Sequence, residues 1–371
     1  MTEPDRRSLA DGRALLYFDD AGHMPGVRPD DARALPERPD AGHMRYDALR
    51  GEWIAYAAHR QTRTHLPNAA ECPLCPTTPG RESEVPASDY DVAVFENRFP
   101  SFGPEQHAQD LDAHLGATAP AHGRCEVVVF GPEHDRSLAG MPLARLDTLV
   151  GAWAHRTAEL SALPGIRQVF PFENRGAEIG VTLHHPHGQI YAYPVVPPVM
   201  ERMLAQAAAH RERTGQNLFA DLLAEARGSE RVLIAGTHWT AFVPAAARMP
   251  IEIHVLPHAE RGNLAELTAE ERAELAEMLL RTLRAVDALY ETPTPYIAAW
   301  YQAPIDHPDA GEFRLHLEIT SPRRAADKLK YLAGSEVAMG AFIGDVLPEV
   351  QAASLRTALG AIEPVVREVS A

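Results

Sequence analysis

The sequence predicts an α+β protein built by duplication of one half-unit, and three observations carry that prediction. Short β-branched and aromatic runs alternate with turn residues and with two long amphipathic stretches. Strand, His-bearing turn and helix then recur: CEVVVFGPEH precedes one helix and IEIHVLPHAE the other, with His134 and His258 about 124 residues apart. The composition, 45% hydrophobic and 23% charged over 371 residues, supports a self-sufficient core without disulfide staples. Two half-sheets, each with one long helix, can then pair their edges into one continuous, mostly antiparallel sheet flanked by helices.

Residues 1–43 are rich in Pro, Asp and Arg, with AGHM at 21–24 and again at 41–44, so a loosely structured N-terminal arm is expected. From Met44, MRYDALRGEWIAYA reads as a hairpin, because two apolar runs flank a turn. VAVFEN at 92–97, CEVVVF at 125–130 and RQVFPFEN at 167–174 read as strands. The stretch 142–163 carries apolar residues at spacings of 3 and 4 and reads as a helix. In the second half, 231–244 and 251–257 read as strands and 267–290 as a helix with a Thr capping start. IAAWYQAP and FRLHLEI then close the unit. The expected division is an arm at 1–43, an N-terminal half at 44–197 and a C-terminal half at 198–371.

Charge narrows the function classes. Lys plus Arg number 35 against 51 for Asp plus Glu, a net charge of −16, which disfavours capture of nucleic acid or an anionic membrane. No run approaches the roughly 18–20 apolar residues that span a bilayer, and the N-terminus lacks an apolar signal region, so a cytoplasmic protein is expected. The three cysteines, Cys72, Cys75 and Cys125, are an odd count unsuited to a disulfide framework.

Two constellations carry chemistry. In ECPLCP, Cys72 and Cys75 sit in a knuckle-like turn where both thiolates can point at one ion, with His134, His184, His185 and His187 as possible partners. Flanking prolines disfavour a helix-opening redox pair, and unpaired structural thiols are the bland alternative. Cys125 lies inside an apolar strand and reads as core. The second constellation is GVTLHHPHGQIYAYP at 180–194: His185 and His187, two apart on a strand, are expected to face one side. A neutral imidazole there is a fitting nucleophile toward phosphorus, Gly188 would let a ligand approach the backbone, and Gln189 adds an uncharged donor and acceptor. A His-rich metal tract is the alternative.

HPHGQ at 185–189, with Gln189 where hydrolases of the histidine triad superfamily have a third His, resembles the signature of the galactose-1-phosphate uridylyltransferase family. The resemblance covers residues 44–340 and takes in GEWIAYAAHRQTR, CPLC, VFEN, GPEHDRSL, FENRGAEIG, THWTAFVPAAARMPIEI and KYLAGSE in the family's order. It implies two histidine-triad-like half-units and transfer of UMP from UDP-glucose to galactose 1-phosphate, in galactose metabolism, through a ping-pong route. His187 would be the nucleophile and Gln189 its hydrogen-bonding neighbour, an amide that cannot activate water. Cys72, Cys75, His134 and His185 match a structural zinc site. Arg60, Arg63, Asn97, Asn174, Gly180 and Thr182 match positions at the nucleotide and phosphates. Lys330, Tyr331, Ala333, Gly334 and Glu336 match the loop around the hexose, with Glu336 as acceptor for its hydroxyls. A homodimer is implied as well, with no nucleic-acid or membrane partner.

The chain departs from the family at several points. A second metal of some relatives is expected to be absent, because the matching positions carry Tyr301, His316, Glu318 and, near Glu201, Met203. His184 and Leu183 beside the nucleophile, and Phe342 after the hexose loop, leave sugar and nucleotide selectivity open. The sister reading is a nucleotide-sugar phosphorylase or adenylyltransferase that uses ADP-sugars. A zinc-bound nucleotide-binding protein without turnover is the reading from another class.

Overall fold

The computed structural model describes residues 3–36, 38, 42–58, 67–104 and 115–369. Eleven strands form one sheet: β1 (Asp5–Ser8), β2 (Ala14–Phe18), β5 (Val92–Glu96), β7 (Arg124–Val129), β8 (Gln168–Arg175), β9 (His187–Tyr193), β10 (Val232–Ala235), β11 (Trp239–Phe242), β12 (Ile251–Pro257), β13 (Tyr296–Tyr301) and β14 (His316–Ser321). Their spatial order is β1-β2-β5-β7-β9-β8-β13-β14-β12-β11-β10. Every neighbouring pair is antiparallel. About the β8–β13 seam the order mirrors itself, with β5, β7, β9 and β8 on one side answered by β11, β12, β14 and β13 on the other. The expected duplicated α+β fold is therefore present.

The two faces of the sheet differ. On β9 the residues alternate, with Gly188, Ile190 and Ala192 buried and His187, Gln189, Tyr191 and Tyr193 half-buried on the opposite face. The buried side packs on α1 (Leu143–Ser161), α4 (Ala269–Asp287) and α6 (Pro348–Val369). Their apolar stripes, Leu146, Leu149, Val150 and Trp153 on α1 and Leu275, Leu279, Leu283 and Val286 on α4, have the spacing that lays one face on a sheet. Thr268 and Glu271 form a reciprocal capping box that starts α4. Trp153, Trp239 and Trp300 meet edge to face at the centre of this core, with Trp300 6.0 Å from Trp153 and 6.4 Å from Trp239.

The other face is open over its centre. A small sheet of β3 (His43–Asp47), β4 (Glu52–Tyr56) and β6 (Thr118–Pro120) lies with the first half, and α2 (Pro198–Thr214) and α3 (Leu218–Arg227) cover part of the second. These two helices follow Pro198 at the first helical position and the Asn217 cap, signals absent from the sequence expectations.

Two expectations need correction. The N-terminal segment is not a loose arm: β1 and β2 pair as a hairpin, and Leu15, Leu16, Tyr17 and Phe18 are buried against β5. The short ALLYF run was hidden by its polar flanks. The segment after it is tied down by ion pairs, Arg28 to Asp5 and Asp19, and Arg33 to Asp31 and Glu84. Residues 231–244 form two strands rather than one, because the chain turns back at 236–238. The predicted 44–57 hairpin is β3–β4, outside the large sheet.

Candidate active site and metal centre

The CPLC turn lies against the open face of β7 and β9, and there four side chains converge. Cys72, Cys75, His134 and His185 each offer a ligand atom, all within 4.8 Å of one another. Cys75 Sγ is 3.2 Å from His134 Nδ1 and 3.4 Å from His185 Nδ1. A tetrahedron with sulfur and nitrogen arms of about 2.3 and 2.1 Å has edges of about 3.5 Å, so these separations fit a shared ion. His185 is fully buried, and its Nε2 donates to the Gly131 carbonyl at 2.9 Å, which leaves Nδ1 with its lone pair toward the sulfurs. Burial holds the His185 imidazole neutral, its pKa lowered to about 4. Burial and the adjacent Cys72 push the Cys75 thiol up to about 11. Such a buried dithiol is stabilised when a cation takes its place among the protons. The donor set fits a metal.

His187 opens β9, two residues on. Its Nδ1 donates to the carbonyl of His185 at 2.7 Å, so Nε2 carries the lone pair. Burial lowers its pKa and favours the neutral ring. His187 lines a pocket of about 160 Å3 with Gln189, Asn97 and Thr182, walled by Leu74, Phe95, Val127 and Leu183 and edged by Arg98, Phe99 and Glu84. The strand begins at His187, so His185 sits in the turn before it. The two-residue spacing still serves one region, since His185 faces the sulfurs and His187 the adjoining pocket.

Gly188 has a different role from the one expected. A Cβ there would lie 2.9 Å from the Phe172 carbonyl oxygen and 3.0 Å from the Phe130 ring, on the buried face. The missing side chain makes room for Phe130 rather than for a ligand. Gly180 is left-handed, with φ +85°, and closes the turn that begins at Gly176; its N–H donates to the Ala177 carbonyl at 3.0 Å. Asn97 accepts from the Phe99 N–H at 2.9 Å, which orders the pocket rim. Asn174 stands on β8 opposite Ile297 at the seam and, among the described residues, is not part of the pocket lining. Arg60 and Arg63 lie outside the described residues.

The 330–336 segment is elsewhere. Lys330 Nζ donates to the Arg248 carbonyl at 3.1 Å and to that of Ile343, and it faces Glu336 at 3.7 Å. The Glu336 carboxylate is buried and accepts from the Ala333 N–H at 3.2 Å, so it caps the short helix α5 (Gly334–Met339) instead of standing open to a sugar. Ala333 and Gly334 form that turn, and Tyr331 is 76% exposed. Among the described residues, none of these five lines the His187 pocket of the same chain.

Tyr301, His316 and Glu318 do come together, on the open face of β13 and β14. Tyr301 stacks on His316 with ring centroids 5.0 Å apart, and His316 Nε2 is 3.5 Å from Glu318. His254 from β12, which sequence reasoning passed over, reaches the same carboxylate at 3.6 Å. The pocket residues Leu74, Phe95 and Val127 were also missed. Phe95 lies on β5 and Asn97 just past its end, two residues on, so the period of two could have found Phe95.

Known proteins match this chain along most of its length. The family described as galactose-1-phosphate uridyl transferase, N-terminal domain, matches residues 34–197, and its C-terminal domain counterpart matches 203–367. A galactose-1-phosphate uridylyltransferase of Streptomyces lividans is 41% identical over 370 residues, 94% of this chain and 96% of the relative. One from Thermotoga maritima is 36% identical, covering 84% of this chain and 97% of its own. A solved uridylyltransferase structure superposes with a TM-score of 0.78 at 34% identity, covering 86% of this chain and 99% of the other. An ADP-glucose phosphorylase from Arabidopsis thaliana with bound ADP-glucose, 24% identical with a TM-score of 0.66 over 84% of this chain and 97% of its own, shares the fold. With both halves matched in order along most of its length, this chain belongs to the galactose-1-phosphate uridylyltransferase family.

Proposed function

We propose that this chain transfers UMP from UDP-glucose to galactose 1-phosphate, giving UDP-galactose and glucose 1-phosphate, through a covalent uridylyl-histidine on His187. The observation that carries this is the His187 ring: Nδ1 is tied to the His185 carbonyl, and Nε2 is free beside Gln189 in a narrow pocket. Nε2 attacks the α-phosphorus, the bond to the β-phosphate oxygen breaks, and glucose 1-phosphate leaves. The positive charge that develops on the ring is spread onto Nδ1–H, where the carbonyl stabilises it. Galactose 1-phosphate then attacks the same phosphorus and the N–P bond breaks, releasing UDP-galactose. Gln189 donates to the phosphoryl oxygens and, being neither acid nor base, does not activate water, which favours transfer over hydrolysis. Apolar Leu74, Phe95 and Val127 suit the planar uracil ring, and Asn97 the ribose hydroxyls.

Cys72, Cys75, His134 and His185 would hold one zinc ion per chain. With all four positions filled by protein, zinc supplies structure rather than chemistry and braces the turn before His187. The protein acts as a homodimer in which the 330–336 segment of one copy completes the other copy's site. Support comes from the exposed Tyr331, Leu332, Val337, Met339, Phe342 and Ile343 around that segment, an apolar patch that calls for a cover. Three cysteines, none in a disulfide, suit a reducing cytoplasm.

The test is intact-protein mass after brief mixing with UDP-glucose and no acceptor, followed by peptide mapping. The expected result is a UMP-sized gain on the His187 peptide, discharged by galactose 1-phosphate. A gain with ADP-glucose alone moves the chain to the adenylyl chemistry, and no gain with either donor refutes the covalent route. Size in solution, read by light scattering, checks the dimer separately.

A further inference from the structure

On the open face of the second half, β12 and β14 point His254, His316 and Glu318 into a cavity of about 580 Å3, within the range of small-molecule sites. Its floor repeats the geometry of the nucleophile. His187 opens β9 and His316 opens β14, strands at equivalent places about the β8–β13 seam. Each ring donates from Nδ1 to the carbonyl two residues earlier, His187 to His185 at 2.7 Å and His316 to Arg314 at 2.9 Å. Gln189 follows two residues after the first, Glu318 two residues after the second.

The charges around this cavity are not equally committed. Glu252 accepts from the N–H groups of Arg248 and Met249 at 2.7 and 3.1 Å and faces His254 at 3.2 Å. Glu225 is paired with Arg231. Arg202 and Arg248 line the cavity, are exposed, and have no ion-pair partner among the described residues; the Arg248 guanidinium lies 5.4 Å over the Phe342 ring. Two guanidinia outside any salt bridge therefore line the cavity, hydrogen-bond acceptors lie on the floor, and Met203, Phe219, Phe242 and Leu256 wall the space between. Guanidinium forks suit phosphate oxygens, apolar aromatic walls suit a ring, and a carboxylate suits hydroxyl or amino donors.

We propose that this cavity is a second ligand site, which holds a phosphorylated small molecule by its ring against Glu318 and by its phosphate at Arg202 and Arg248. The ligand binds without reacting, because Glu318 at 3.5 Å occupies the Nε2 edge of His316 that a phosphorus would need. Nucleoside monophosphates and sugar phosphates share this chemistry. The site does not depend on uridylyl transfer.

Equilibrium dialysis of the full-length protein with radiolabelled UMP and, separately, galactose 1-phosphate tests it. The wild type, Arg248→Glu and Ala245→Trp are compared; Ala245 is an exposed rim residue, so the indole fills the cavity mouth without entering the core. The expected result is that the wild type binds one more equivalent per chain of at least one probe than either variant, whose extra site is weakened roughly tenfold or more. Ala245→Trp keeps the transfer turnover of the wild type, which separates this site from the His187 pocket. Whether UMP or galactose 1-phosphate fills it identifies the source. Equal uptake of both probes by the wild type and Ala245→Trp overturns the proposal, whatever the fate of Arg248→Glu.

Discussion

Replacing Gly188 by alanine separates two accounts of the residue between His187 and Gln189. If glycine were there to admit a ligand to the backbone, the added methyl would raise KM and leave stability unchanged. The structure places that methyl on the buried face, 2.9 Å from the Phe172 carbonyl oxygen and 3.0 Å from Phe130 Cζ. The carbonyl is part of the β8–β9 ladder, where Phe172 pairs with Gln189, and cannot retreat alone. The ring can tilt, but Phe130 is fully buried among the packed side chains between sheet and helices. Overpacking of this kind costs about 1–3 kcal/mol, a fall of a few degrees in the melting temperature of a chain this long. The strand must also shift by tenths of an ångström, which moves His187 and Gln189 together. Turnover should fall roughly tenfold or more, because in-line attack tolerates little displacement. Phe130→Leu added to Gly188→Ala should restore part of the stability, with a coupling of about 0.5 kcal/mol or more in the double-mutant cycle. An unchanged melting temperature with KM alone raised would refute the packing argument.

Three further outcomes are expected. His187→Ala should abolish the uridylyl adduct and lower kcat by more than about a thousandfold while the protein melts within a few degrees of the wild type, since the half-buried ring faces a pocket; an adduct at normal rate places the nucleophile elsewhere. Cys75→Ala should lose bound metal, read by elemental analysis, and melt several degrees lower, with activity falling only as the strand loosens; retained metal shows that the ligand set is wrong. Burial raises the Glu173 carboxyl to about 7 despite its hydrogen bond from Tyr296, so the folded state holds a proton that the unfolded state, near 4.5, releases. Stability from this group is therefore complete below pH 4.5 and declines as pH rises toward 7, by a few kcal/mol at most. Glu173→Gln should remove that part of the slope, gaining on the wild type between pH 4.5 and 7 in urea unfolding; parallel curves would show that Glu173 is ionised throughout.

Duplication and the Cys72–Cys75 knuckle were legible because each rests on local spacing, whereas the choice of His134 and His185 among the candidate histidines came from the family resemblance. Cys72 and Cys75 stand three apart in a turn, and His134 follows a strand whose twin is followed by His258. The hidden parts depend on which face a residue takes and on what meets it from far along the chain. The 231–244 stretch looks like one strand until Glu274 of α4 accepts the His238 and Trp239 N–H groups and fixes the turn between β10 and β11. Asn174 was matched to a position at the nucleotide and phosphates, yet its neighbour Glu173 is the buried one, in register with Val169 and Pro171 on the core face. Arg13 and Arg33 lie in the N-terminal segment expected to be a loose arm. Both pair with Glu84, which edges the His187 pocket, so the segment called loose buttresses the site.

The two halves differ beside the strand-opening histidine by one atom type. Both strands present an imidazole whose Nδ1 is tied to its own backbone, and both place a residue of the same length two positions later. In the first half that residue is Gln189, an amide that can donate and carries no charge. In the second it is Glu318: burial would raise its pKa, but His316 at 3.5 Å and the charges of His254 and Arg248 hold it at about 2, so it is an anion at neutral pH. An anion there repels a phosphoryl group and competes for the Nε2 edge. On the proposed uridylyl-histidine route, one duplicated scaffold thus keeps a reactive histidine in one half and a non-reactive one in the other, with oxygen in place of nitrogen as the deciding change.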